Sequence, residues 1–269
     1  MRAPASVAAA LLVAVLLPGA SDAAPAGAGY ELRQGSVKPA HALFDGERRV
    51  TVRFSFGATR RLDLLVRIVR ARDGKPVRRY RERALAPGRF HELSWDGRRA
   101  NRRVAADGEY AVRIGPPGHR GAAAGRFEFH DHAFPVQGEH GYGDRFGEPR
   151  SGGRVHEGQD LPAGCGTPLV AARGGTVART GYSDALYGYY VLIDGLATDR
   201  DYFYAHLESP PPLAEGDRVR TGERIGEVGK TGNARGEFCQ LHFELWPHGY
   251  RNGGPEDPLA ALQRWDSFP

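Results

Sequence analysis

Cysteine is nearly absent from this chain. Its 269 residues contain two, Cys165 and Cys239, too few to close a structural zinc site of the usual cysteine-rich, four-ligand kind. Lysine is almost as scarce. Of 37 basic residues only Lys38, Lys75 and Lys230 are lysine, a bias that fits a GC-rich genome better than a function. Long apolar runs are missing too. The one candidate, Val7 to Leu17, is too short to span a bilayer, which takes about 20 residues. Charge of a single sign is also lacking. The formal net charge is +5 and the pI about 9.3, with both signs plentiful. That suits an anionic surface and gives no pointer to nucleic acid.

What is present begins with an export signal. Arg2 is a short basic start, Val7 to Leu17 an apolar centre, and Ala20, Ser21, Ala23 and Ala24 supply small residues for cleavage. Residues 1–24 therefore read as a signal peptide. No cysteine follows the apolar run, so no lipoprotein anchor is expected. The mature chain is expected to be secreted or held in the cell envelope without stable membrane insertion. An exported chain with an even cysteine count favours a Cys165–Cys239 disulfide.

Residues 25–132 read as a series of short strands. Val50, Val52, Phe54 and Phe56 alternate, as do Leu62, Leu64, Val66 and Ile68. Asp73-Gly74, Pro87-Gly88, Asp96-Gly97 and Asp107-Gly108 supply turns. This spacing predicts a β-sandwich. The blocks Leu93-Ser94-Trp95-Asp96-Gly97 and Asp107-Gly108-Glu109-Tyr110-Ala111-Val112 resemble the immunoglobulin-like domain of flagellar hook-capping proteins. No acid/base cluster lies here, so a spacer or adhesion module is expected, with contact to the cell wall or a protein as its role. Gly115 to Gly125 is expected to be a loop. His130-Asp131-His132 and His140 are expected to be exposed linker residues.

The chemistry-bearing residues lie downstream in three segments. His156 and Asp160 stand four apart among glycines that argue against a helix. In a straight strand they would be about 13 Å apart. A bend at Gly158, through positive φ, would let them converge. The stretch Phe238 to Trp246 alternates as a half-buried strand. Cys239, Leu241, Phe243 and Leu245 form a core face; Gln240, His242 and Glu244 form the other. The third segment alternates likewise, with Tyr202, Tyr204 and His206 expected on one face and Phe203, Ala205 and Leu207 on the other.

His156-x-x-x-Asp160, Tyr204-Ala205-His206-Leu207 and Leu241-His242-Phe243-Glu244 together resemble the M23 family of zinc metallopeptidases, which includes lysostaphin and LytM-type peptidoglycan endopeptidases. The glycine-punctuated stretch from Gly216 to Asn233 fits as well. The resemblance runs from about Phe134 to Trp246. It implies zinc ligands His156, Asp160 and His242, a catalytic His206, and peptidoglycan peptides as substrate. One position departs: the first histidine of the family's H-x-H strand is Gln240 here, which bears on catalysis rather than on zinc. Three N/O ligands leave an open position, as in catalytic zinc sites. Glu157 is a rival general base, but it lacks the H-E-x-x-H helix that would aim it. Glu244 is expected to orient a ligand. Tyr182, Tyr187 and Asn233 are the candidates for contacts to a substrate peptide.

The expected fold class is thus all-β: an immunoglobulin-like sandwich over residues 25–132, an antiparallel-sheet M23-type domain over 133–247, and a tail over 248–269 that wraps the surface, with one or two helical turns between Pro258 and Trp265. The leading functional expectation is a secreted zinc endopeptidase acting on peptidoglycan. The alternatives are a zinc-binding but weakly active or inactive module of the same fold, which binds wall or activates an amidase, and a biotinyl or lipoyl carrier. The carrier needs a lysine at a hairpin tip, and the nearest, Lys230, has no Met-Lys-Met-like context.

Overall fold

The computed structural model describes residues 29–267; the segment read as an export signal lies outside them. The first half forms strands β1 (Glu31–Lys38), β2 (His41–Leu43), β3 (Val50–Gly57), β4 (Leu62–Arg70), β5 (Pro76–Leu85), β6 (Phe90–Trp95), β7 (Gly108–Gly115) and β8 (Ala122–His130). A three-stranded sheet, β1-β3-β6, and a five-stranded sheet, β2-β8-β7-β4-β5, bury their inner faces against each other. Alternation dictates this. Val52, Phe54 and Phe56 of the first sheet meet Leu64, Val66, Ile68, Val112 and Ile114 of the second, all essentially without exposure. Trp95 fills the end of the core, packing on Tyr110, Phe127 and Phe129, and its Nε1–H donates to the Arg98 carbonyl. The Gly115–Gly125 stretch is a loop only in part, because β8 begins at Ala122.

The second half continues with β9 (Gln159–Pro162), β10 (Pro168–Val170), β11 (Gly175–Ser183), β12 (Gly188–Gly195), β13 (Arg200–Leu207), β14 (Arg218–Val219), β15 (Arg224–Glu227), β16 (Gln240–Pro247) and a short helix, α1 (Leu259–Asp266). Six strands form one antiparallel sheet in the order β14-β11-β12-β13-β16-β9. One face carries Val177, Val191, Ile193, Tyr202, Tyr204, Leu241, Phe243 and Leu245. The paired strands β10 and β15 cover that face with Leu169 and Ile225. The opposite face packs Leu192, Phe203, Ala205 and Trp246 under Tyr187, Tyr190 and Tyr250, and it also bears the polar residues described below.

Two expectations for the flanking segments are corrected. Residues 248–267 do not merely wrap the surface: α1 drives Leu262 and Trp265 into the same core as the sheet. His130 and His132 are buried rather than exposed. The His132 ring stacks on Trp265 at 4.4 Å and its Nε2 lies 2.7 Å from the Tyr202 hydroxyl. The sequence hides the burial of His132 because Tyr202 lies 70 residues downstream and Trp265 is near the end of the described chain. The two halves also touch through ion pairs. Arg218 Nη2 donates to Asp45 Oδ2 at 2.6 Å, Arg264 meets Asp107, and Arg173 lies 4.3 Å over the Phe44 ring.

The Cys165–Cys239 disulfide is formed, with Cα atoms 5.2 Å apart and a sequence separation of 74. It joins the chain just after β9 to the residue just before β16, so the two edges of the site are tied covalently. Closing a loop of that length contributes about 2–5 kcal/mol.

Candidate metal centre and groove

His242 lies on β16 between two neighbours in register, Asp160 on the edge strand β9 and Ala205 on β13. Facing cross-strand residues have Cβ atoms about 4.5–5.5 Å apart, so the register alone sets Asp160 beside His242. His156 arrives from the loop before β9. There Gly147 donates to the His156 carbonyl and the His156 amide donates to Glu148, a small hairpin that holds the loop. His156 Nε2, Asp160 Oδ1 and His242 Nδ1 converge: the three separations are 3.1, 2.8 and 2.9 Å. All three residues are buried.

The convergence does not arise as expected. Gly158 is not in the left-handed region. It is needed for clearance instead: a Cβ there would meet the Phe243 carbonyl oxygen at 2.3 Å and His242 Cε1 at 3.0 Å. Glycine lets the His156–Asp160 segment lie against β16. Gly158→Ala is expected to destabilise the protein by about 1–3 kcal/mol, the range for overpacking, and to weaken metal retention. Gly164→Ala, where a Cβ finds only an ordinary 3.4 Å contact, should change neither. Chemical denaturation and metal analysis of the two variants check this. Equal behaviour would show that the close approach at residue 158 relaxes at no cost.

The second partners of both rings fix their tautomers. His156 Nδ1 faces the Arg145 carbonyl at 2.8 Å and must donate. His242 Nε2 donates to Glu244 Oε1 at 3.0 Å, and the other Glu244 oxygen accepts from Trp246 Nε1 at 2.7 Å. A neutral ring therefore turns a lone pair toward Asp160 Oδ1, and only a proton or a cation placed among the three atoms makes that contact attractive. Three electron-rich atoms within 3.1 Å repel one another unless a positive charge lies among them. The site's electrostatics agree. Burial alone would lower the His242 pKa, but hydrogen bonds to Asp160 and Glu244 and their charges outweigh it and push it up to about 9. The Asp160 carboxyl is raised by burial, yet hydrogen bonds from His156 and His242 hold it well below the usual range. A field that retains a proton on His242 also favours a metal cation.

His206 corrects a second expectation. Tyr202 and Tyr204 do share a face, the core face, but Leu207 shares it with them and His206 does not. A register shift between β12 and β13 sets two residues, Ala205 and His206, opposite the single Tyr190, and His206 has φ 63°. Such bulges re-aim side chains. Here the bulge turns His206 onto the face of His242, with ring centroids 5.9 Å apart. Its Nδ1 donates to the Thr231 carbonyl at 2.8 Å, which leaves Nε2 free to accept a proton. Burial, then the charge of His242, lowers its pKa to about 4.

These residues lie at the floor of an open groove of about 470 Å³. Tyr187, Asn233, Phe238, Gln240 and Glu157 line its walls. Tyr182 does not: its hydroxyl instead pairs with Asp184 and Arg235. The sequence reading missed Arg150, which bridges Asp144 at 2.7 Å and the outer oxygen of Asp160 at 3.3 Å. Nothing in a glycine-rich run of charges marks it. Arg145 and Thr231 were invisible for another reason, since they act through backbone carbonyls.

Two histidines and a carboxylate at the floor of an open groove form a donor set suited to a metal ion. Comparison with known proteins agrees: residues 154–258 match the model of peptidase family M23. Over 123 residues the chain is 37% identical to the lipoprotein NlpD/LppB homolog of Pseudomonas aeruginosa, covering 45% of this chain and 38% of that one. It is 29% identical over 156 residues to the L-Ala--D-Glu endopeptidase of Bacillus subtilis, covering 54% and 47%. It is 30% identical over 112 residues to the glycyl-glycine endopeptidase ALE-1 of Staphylococcus capitis, covering 41% and 30%. The chain thus spans less than half the length of each of these relatives. Among solved structures, the catalytic domain of lysostaphin from Staphylococcus simulans aligns with a TM-score of 0.42 at 28% identity, over 46% of this chain and 92% of that one. No helix among the described residues is long and apolar enough to cross a membrane.

Proposed function

We propose that this protein is an exported zinc endopeptidase that hydrolyses peptide bonds in the cross-bridges or stem peptides of peptidoglycan. The observation that carries the reading is the convergence of two imidazole nitrogens and one carboxylate oxygen within 3.1 Å, open to a groove of about 470 Å³. His156, Asp160 and His242 would hold the ion, and the nitrogen-rich set with one carboxylate suits zinc. The chemistry zinc supplies when bound is polarisation of a carbonyl and acidification of water. The chain's own residues do the rest. His206 Nε2 takes a proton at the groove floor and returns it to the leaving amine, with Thr231 fixing its tautomer. Glu244 holds the His242 ring in place from below, and Arg150 does the same for Asp160. Tyr187 and Asn233 flank the groove where a substrate peptide lies.

A second reading stands beside it, that of a zinc-binding but weakly active or inactive wall-binding or amidase-activating module, because Gln240 lines the groove where the family resemblance places a histidine. Glutamine can donate a hydrogen bond but cannot carry a proton near neutral pH.

The test is the purified mature chain on defined peptidoglycan fragments, followed by mass spectrometry. Cleavage at a single class of peptide bond is expected. It should cease when chelator strips the metal and return when zinc is restored. Fragments left intact by the zinc-loaded protein would favour the second reading.

A further inference from the structure

Charge is distributed unevenly along the chain. Residues 29–132 hold 23 basic and 12 acidic side chains, whereas residues 133–269 hold 13 and 19. Part of the basic excess is concentrated on the outer face of the five-stranded sheet. Arg67 on β4 stands directly opposite Arg79 on β5 and Arg113 on β7, so three guanidinium groups form one row across three adjacent strands. Like charges directly opposite one another destabilise a sheet. No carboxylate among the described residues lies within ion-pair distance of any of the three. Arg67 Nη1 is buried without a hydrogen-bond partner. The row borders a concavity of about 590 Å³ whose lining adds Arg72 and Arg120, with Arg126 paired to Glu109 and Arg70 paired to Asp73. Its lining includes Val69, which is only 4% exposed.

We propose that this concavity binds phosphate groups carried on a phosphodiester polymer, and that it anchors the protein to such a polymer independently of the peptidase groove. A guanidinium nitrogen left without a partner, Arg67 Nη1, in a row of like charges is satisfied by an anion with several acceptor oxygens. Arginine's planar fork matches phosphate in two-point contact. A row of three strands, each about 4.8 Å from the next, offers successive phosphates more than one charge. The lining contains no Phe, Tyr or Trp on which bases could stack, so single-stranded nucleic acid is disfavoured. The chemistry fits a chain of alternating phosphate and polyol.

The test measures binding of poly(glycerol phosphate), inorganic phosphate and duplex DNA to the full mature chain by calorimetry across a range of salt. The polymer should bind, with log Kd rising linearly with log salt. The double variant Arg67→Gln/Arg113→Gln should weaken binding at least tenfold and reduce the salt slope by about 1.4–1.8, near 0.7–0.9 per charge removed. Arg60→Gln/Arg89→Gln, which removes the same charge outside the concavity, should have a much smaller effect. Folding is controlled by melting. The Arg67/Arg113 variant should melt no lower than wild type without polymer, since a repulsion is relieved, but polymer should no longer raise its Tm. Equal losses in both double variants would overturn the proposal in favour of diffuse attraction. So would tighter binding of duplex DNA than of the polymer, or binding of inorganic phosphate that the Arg67/Arg113 variant leaves unchanged.

Discussion

His242→Ala, His156→Ala and Asp160→Ala should each reduce zinc from about one ion per chain to near none after dialysis, and abolish peptide cleavage. The expected effect is the largest of any substitution here, because three ligands leave no spare and each is buried against the other two. Glu244→Gln should be milder. It keeps the His242 ring in place but weakens its hydrogen bond, and loss of such an outer partner typically lowers metal affinity about 10–100-fold. A readout free of turnover is the melting temperature: zinc should raise that of wild type by mass action and leave the three alanine variants unmoved. Retention of full zinc by His242→Ala would end the ligand assignment. His140→Ala, at a position remote from the cluster, should leave zinc content unchanged.

His206→Ala should lower turnover by about 10²–10⁴-fold, the usual loss for a positioned acid or base, while zinc stays bound. The separation of metal content from rate is the informative part, since His206 is outside the three-atom cluster yet on the same face. Gln240 supplies the comparison. If it offers only hydrogen bonding, Gln240→Ala should lower turnover as loss of an oxyanion donor does, by about 10²–10³-fold. Gln240→His should keep zinc, raise turnover and add a titrating group to the pH–rate profile. Turnover per bound zinc for wild type and these variants on one wall-derived peptide decides between the two functional readings. A silent wild type with an active Gln240→His would establish the weakly active or inactive module.

Several parts of this fold were legible because they depend on local rules. Val50, Val52, Phe54 and Phe56 of β3 face one core as alternation indicates, and Cys239, Leu241, Phe243 and Leu245 face the other. Period two is a backbone property and needs no knowledge of partners. The residues that failed did so where a neighbour overrides the period. His206 leaves its expected face because β12 and β13 slip in register. Gly158 matters through the Phe243 carbonyl it approaches rather than through its own φ. His132 is buried by Trp265 from the far end of the chain, and Tyr182 is drawn out of the groove by Asp184 and Arg235.

The sequence by itself determined the all-β character, the identities of His156, Asp160, His206 and His242, and the cysteine pair, since residue type, spacing and even count are one-dimensional facts. Only the tertiary structure decided what those residues do to one another. Cross-strand register set Asp160 beside His242, and backbone carbonyls of Arg145 and Thr231 chose the ring tautomers. Three arginines 12 and 46 residues from their neighbours in sequence became a single row because β5, β4 and β7 pair in register. The physical reason is that hydrogen-bonded pairing converts remote positions into contacts a few ångströms apart, and electrostatic consequences follow that distance, not separation along the chain.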